Sequence, residues 1–162
     1  MIDEAEIFVR SGKGGDGMVH FHREKYVNRG GPDGGDGGRG GDVILEVQLT
    51  MNTLSVFRHQ LKYLAPDGKN GGPNNMSGRS AEDLVISVPP GTMVFDKTTG
   101  KFLGDLLTAG QQLRLAKGGR GGRGSQHFAN SRNQAPRTGE GGEPSEELFV
   151  RLELKLIADV GL

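Results

Sequence analysis

Gly30-Gly31-Pro32-Asp33-Gly34-Gly35-Asp36-Gly37-Gly38-Arg39-Gly40-Gly41-Asp42 places glycine at 31, 34, 37 and 40 and again at 35, 38 and 41. The period is three, the repeat of the polyproline II helix rather than of an α-helix or a strand. Such a helix has no internal hydrogen bonds, and neighbours approach closely only where glycine removes the Cβ. Taken alone, the stretch is equally compatible with a flexible linker. The surrounding sequence has to supply partners that would order it.

On both sides the chain reads as β structure. Before it, Ala5, Ile7 and Val9 alternate with Glu6, Phe8 and Arg10 as in a half-buried strand; after it, Val43, Leu45, Val47 and Leu49 alternate with Ile44, Glu46 and Gln48. Residues 54–64 read as a helical turn leading into a strand. Leu84, Ile86 and Val88 restore alternation until Pro89-Pro90 stops the ladder. Met93-Val94-Phe95 and Lys101-Phe102-Leu103 flank Asp96-Lys97-Thr98-Thr99-Gly100 as a hairpin, followed by a strand at 112–116. The opening pattern then recurs, with Gly118, Gly121 and Gly124 three apart, before a last strand carrying Leu148, Val150, Leu152, Leu154 and Leu156. The chain thus leaves β structure three times, through glycine-rich arms at about 11–42, 66–80 and 117–145, and each time returns to a strand. The expectation is a mainly β fold, a small β barrel or sandwich, carrying a packed bundle of polyproline-II-like arms.

The composition narrows the function classes. Glycine is 29 of 162 residues but proline only 7, so collagen-like repetition does not extend through the chain, and with no cysteine there is no disulfide framework or thiolate metal site. The acidic, polar start Met1-Ile2-Asp3-Glu4 is not expected to act as a leader, and no apolar run reaches membrane-spanning length. Twenty basic and 20 acidic residues cancel, yet they are segregated: 106–139 holds Arg114, Lys117, Arg120, Arg123, Arg132 and Arg137 without an acid. Basic segments that coincide with glycine-rich ones point to a polyanion partner.

None of the Gly-Lys pairs, at 12–13, 68–69 and 100–101, sits in a G-x-x-x-x-G-K-[ST] phosphate loop, and no serine lies in a nucleophile elbow. The chain by itself is therefore not expected to be an enzyme. His20 and His22 would share a strand face but lack further ligands for a metal. Residues 37–45 fit one copy of a calcium β-roll repeat, which needs tandem copies to stack. Arg29-Gly30-Gly31, Arg39-Gly40-Gly41 and Arg120-Gly121-Gly122 also fit a flexible Arg-Gly-Gly tail that binds single-stranded RNA, although such tails lack β periodicity and interleaved Asp16, Asp33, Asp36 and Asp42.

Gly14-Gly15-Asp16-Gly17, His22-Arg23-Glu24-Lys25-Tyr26, the stretch from Gly30 to Gly38, Val88-Pro89-Pro90-Gly91-Thr92 and Ala116-Lys117-Gly118-Gly119-Arg120-Gly121-Gly122-Arg123-Gly124 resemble, in order, the amino-terminal domain of the Obg GTPases. Leu154 to Leu162 resembles the lead-in to the family's GTP-binding domain. The resemblance implies an Obg domain over 1–158, with 159–162 starting a GTPase domain whose GTP and Mg²⁺ sites lie outside this chain. It implies a cytoplasmic protein of large ribosomal subunit assembly, a monomer without a membrane partner, whose arm tips meet rRNA and whose other neighbour is its own GTPase domain. The implied rRNA contacts are His22, Arg23, Lys25, Arg29, Lys69, Arg79, Arg132 and Arg137. The glycines assigned a structural role are Gly31, Gly34, Gly35, Gly37, Gly38, Gly40, Gly41, Gly118, Gly121 and Gly124.

Overall fold

A computed structural model of the protein describes residues 2–19, 32–127 and 139–155. Alternation of apolar and polar residues places the strands where the sequence suggests: β1 Ile2–Arg10, β2 Val43–Val47, β3 Lys62–Leu64, β4 Leu84–Val88, β5 Thr92–Asp96, β6 Phe102–Leu106, β7 Gln112–Ala116 and β8 Glu147–Lys155. They form a five-stranded sheet in the order β3-β1-β8-β5-β6 and a three-stranded sheet in the order β4-β2-β7. Neither sheet closes on itself into a barrel. Their inner faces contribute to one core, in which Val9, Val43, Leu45, Val88, Val94, Val150 and Leu152 are fully buried.

A 3-10 helix, Ser55–Arg58, closes one side of this core with Leu54 and Phe57. The Phe57 ring meets Tyr63 edge-on at 5.9 Å. Burying a ring of this size contributes about 2–3 kcal/mol. Asp3, buried at the start of β1, holds the helix in place by accepting hydrogen bonds from the Leu54 N–H (2.8 Å) and the Arg58 guanidinium (2.9 Å). The hairpin between β5 and β6 turns at Gly100, whose φ of +76° favours glycine.

The strand after the opening stretch ends earlier than its alternation suggests. Leu49 is 65% exposed: the Gln48 N–H makes a last bond to β4, at the Val88 carbonyl, and the Met51 N–H then donates to the Gln48 carbonyl in a turn. Leu156, at the far end of the last strand, lies outside the described residues.

Strand pairing also fixes how the glycine-rich segments meet. Each excursion leaves one strand and returns to another: β1 to β2, β3 to β4, and β7 to β8. Because β1 and β3 pair in parallel, as do β2 and β4, the sheets launch two outgoing segments side by side and receive two returning ones likewise. The antiparallel pairs β1–β8 and β2–β7 set the third excursion beside them.

Candidate nucleic-acid interface

The three excursions supply six extended arms among the described residues: arm 1 (11–19), arm 2 (32–42), arm 3 (66–72), arm 4 (76–83), arm 5 (117–125) and arm 6 (139–146). Backbone hydrogen bonds run between arms and recur every third residue. In arm 1 the N–H groups of Ser11, Gly14 and Gly17 donate to Glu146, Glu143 and Glu140 of arm 6, and those of Gly12, Gly15 and Met18 to Gly41, Gly38 and Gly35 of arm 2. The remaining phase, Lys13 and Asp16, donates to the side chains of Asp67 and Asn70 of arm 3. The donors of arm 1 therefore turn to three partners in succession, as a period of three requires.

The arms close into triangles. Gly15 N–H reaches Gly38 O, Gly38 N–H reaches Lys69 O, and Gly68 N–H returns to Lys13 O, each at 2.8 Å, joining arms 1, 2 and 3. Arms 1, 2 and 5 close in the same way through Gly37 N–H to Gly122 O (2.8 Å) and Gly122 N–H to Gly15 O (2.9 Å). The glycine requirement is one of close approach. A Cβ on Gly37 would overlap the Gly15 carbonyl, and one on Gly121 the Gly37 carbonyl, with no positive φ at either residue. Gly34, Gly35, Gly38, Gly40, Gly41, Gly118 and Gly124 face neighbouring backbone in the same way, whereas Gly31 lies outside the described residues. Arg39-Gly40-Gly41 and Arg120-Gly121-Gly122 are thus built into the bundle, which overturns the flexible-tail reading for these two triplets.

The aspartates complete the network by accepting backbone N–H groups, a role that the spacing of the glycines alone does not assign. Asp42 Oδ1 accepts the Gly118 N–H (2.7 Å), Asp36 Oδ1 the Gly124 N–H (2.8 Å) and Asp16 Oδ1 the Gly142 N–H (2.9 Å). Asp42 is 6% exposed and takes the Arg39 guanidinium at 2.6 Å, so the aspartate of the calcium-like motif is already engaged. Burial tends to raise the Asp36 carboxyl, but the bonds from Gly124 and His127 outweigh it and leave it below its ordinary value. A signal for this role exists in the sequence, since Asp33, Asp36 and Asp42 keep the same spacing in multiples of three as the glycines around them.

Some cations of the arms are paired, Lys13 with Asp16 at 3.9 Å among them, and others, such as exposed Lys117, have no ion pair among the described residues. Arg39 pairs with Asp42, Arg120 with Glu143 (3.4 Å) and Arg123 with Glu140 (2.8 Å). The Arg123 bond holds the Glu140 carboxyl below its usual range and raises the guanidinium. Lys69 and Arg79 are exposed and have no ion pair among the described residues. Their backbones touch, Lys69 N–H donating to Arg79 O at 3.0 Å, and both line a cleft of about 670 Å³ on the flank of the bundle. Of the rRNA contacts implied by sequence, these two come together; His22, Arg23, Lys25, Arg29, Arg132 and Arg137 lie outside the described residues. Among the described residues no group of three or more His, Cys, Asp or Glu is placed to hold a metal ion, and no helix is long and apolar enough to cross a membrane.

A glycine-arm bundle is thus raised on a two-sheet β core, with exposed Lys69 and Arg79 lining a cleft on its flank. The family described as GTP1/OBG matches residues 2–156, and the chain belongs to that family. It is 57% identical over 161 residues to the GTPase Obg of Acetivibrio thermocellus, covering 99% of this chain and 38% of that protein. The GTPase Obg of Pediococcus pentosaceus is likewise 57% identical, with 99% and 37% covered, and that of Geobacillus kaustophilus 55% identical with the same coverage. The chain thus spans less than two fifths of these relatives and corresponds to their amino-terminal part.

Proposed function

We propose that this chain is the rRNA-docking part of a GTPase that acts in assembly of the large ribosomal subunit. The observation that carries this reading is the presence of two cations without an ion pair among the described residues, Lys69 and Arg79, held side by side on arms whose backbones are locked. Nucleic-acid affinity comes mainly from cations meeting phosphates, and a locked backbone leaves only the side chains to be ordered at binding. GTP and Mg²⁺ would be handled by the part of the relatives beyond this chain, whose names describe GTPases. Folded RNA, and the cytoplasm in which ribosomes are assembled, are the partner and setting. His22, Arg23, Lys25, Arg29, Arg132 and Arg137 would extend the interface from the excursions that contain them.

Cosedimentation of the purified chain with salt-washed large ribosomal subunits tests this directly. Enrichment in the subunit pellet that falls steeply as KCl rises is expected. A free chain left entirely in the supernatant at low salt would sink the proposal.

A further inference from the structure

The flank cleft has a third cation that the sequence resemblance does not nominate. Lys13, from arm 1, lines the cleft with Lys69 of arm 3 and Arg79 of arm 4. The register of the bundle brings the three to one level. Gly68 N–H donates to Lys13 O at 2.8 Å, placing Lys13 beside the residue preceding Lys69, and Lys69 N–H donates to Arg79 O at 3.0 Å. With about 3.1 Å rise per residue in such arms, the three Cα atoms fall within about one turn of the bundle axis. The Lys13 ammonium is 3.9 Å from Asp16 Oδ1, which already accepts the Gly142 N–H, and Asp67 Oδ1 accepts the Lys13 backbone N–H at 2.8 Å. With Glu82, the other acid of the lining, three carboxylates stand near the three cations, and among the described residues only Asp16 comes within ion-pair distance of one of them, Lys13.

We infer that this cleft is a phosphodiester-binding site, in which Lys13, Lys69 and Arg79 together seat the backbone of an RNA strand running down the flank of the bundle. The inference rests on the rRNA-docking reading and extends it, because it moves the binding surface from the excursion tips onto the side of the arms. It also adds Lys13 as a binding residue. Lys69 and Arg79 alone would contact a strand from two adjacent arms; Lys13 adds a contact from a third.

Affinity for salt-washed large ribosomal subunits is measured across a range of KCl for the whole chain and for Lys13→Gln, Lys69→Gln, Arg79→Gln and the triple variant, with Arg120→Gln, which lies outside the cleft, as control. Removing one phosphate-binding cation should flatten the plot of log K against log salt by roughly 0.7–0.9. Each cleft variant is expected to show that change with roughly three- to tenfold weaker binding at low salt, and the triple variant should flatten the plot about three times as much. Thermal melts of the variants should match the parent, since the three side chains are exposed. A Lys13→Gln variant with parental affinity and slope, while Lys69→Gln and Arg79→Gln are weakened, overturns the three-cation cleft and leaves the docking reading standing. No binding by the parent chain overturns both. Saturable GDP binding at the cleft, abolished in Lys13→Gln and not displaced by subunits, would assign the site to a free nucleotide and overturn the RNA strand.

Discussion

At the scale of single residues, carboxylates hold this protein together in ways that their count conceals. Asp42 accepts a buried N–H, that of Gly118, so Asp42→Ala strands a donor while Asp42→Asn retains an acceptor. An unsatisfied buried donor costs about 1–3 kcal/mol. Urea unfolding should therefore show Asp42→Ala destabilised by about that amount and Asp42→Asn by less. Asp3 gives a pH signature. The Leu54 N–H is the strongest influence lowering its carboxyl, with burial opposing and Thr53 and Arg58 adding to the lowering, so the folded value lies below the ordinary 3.8. A group depressed on folding stabilises fully above its unfolded value and loses that contribution as pH falls through the folded one. Stability of the parent should accordingly drop more steeply below about pH 5 than that of Asp3→Asn, measured as unfolding free energy against pH.

At the scale of elements, the strands were legible because alternation is a local signal, and β1, β4 and β8 follow it closely. The arms were legible as a period but not as a network. Nothing in Asp36 or Asp42 alone says which distant N–H it will accept, since Gly124 and Gly118 are 88 and 76 residues away. Lys69 and Arg79 were nominated by resemblance, while Lys13 joins them only through a register set by β1 and β3 pairing in parallel. The difference between packing and turn glycines is testable. Gly37→Ala drives a methyl into the Gly15 carbonyl and should cost at least about 3 kcal/mol, the upper end for overpacking. Gly100→Ala meets open space and bears only the positive-φ cost of about 1–2 kcal/mol, so its urea midpoint should move far less.

At the scale of the whole molecule, long-range pairing dominates. Arm 1 bonds to arms 2, 3, 5 and 6, and β1 pairs with β8 from Ile2↔Lys155 to Arg10↔Glu147, so the first strand waits on the last. Chains with such non-local pairing fold slowly, in about milliseconds to seconds or longer, because loop closure precedes the stabilising interactions. Stopped-flow refolding should show this, and deletion of β8 should abolish arm protection in hydrogen exchange together with the sheet. Amides of Gly15, Gly38 and Gly122 are expected to exchange as one cooperative set, since each belongs to a closed triangle of arms.

The threefold repeat of the arms also acts as a reading frame in space. Inserting one residue into arm 2 would rotate everything beyond it by about a third of a turn, delivering Asp36 or Arg39 to places where only bare backbone fits. Inserting three would restore the faces but slide the arm about 9 Å against its neighbours, misaligning every acceptor. The reach of the bundle beyond the sheets is therefore quantised: it can lengthen or shorten only by whole turns, and only in all six arms at once.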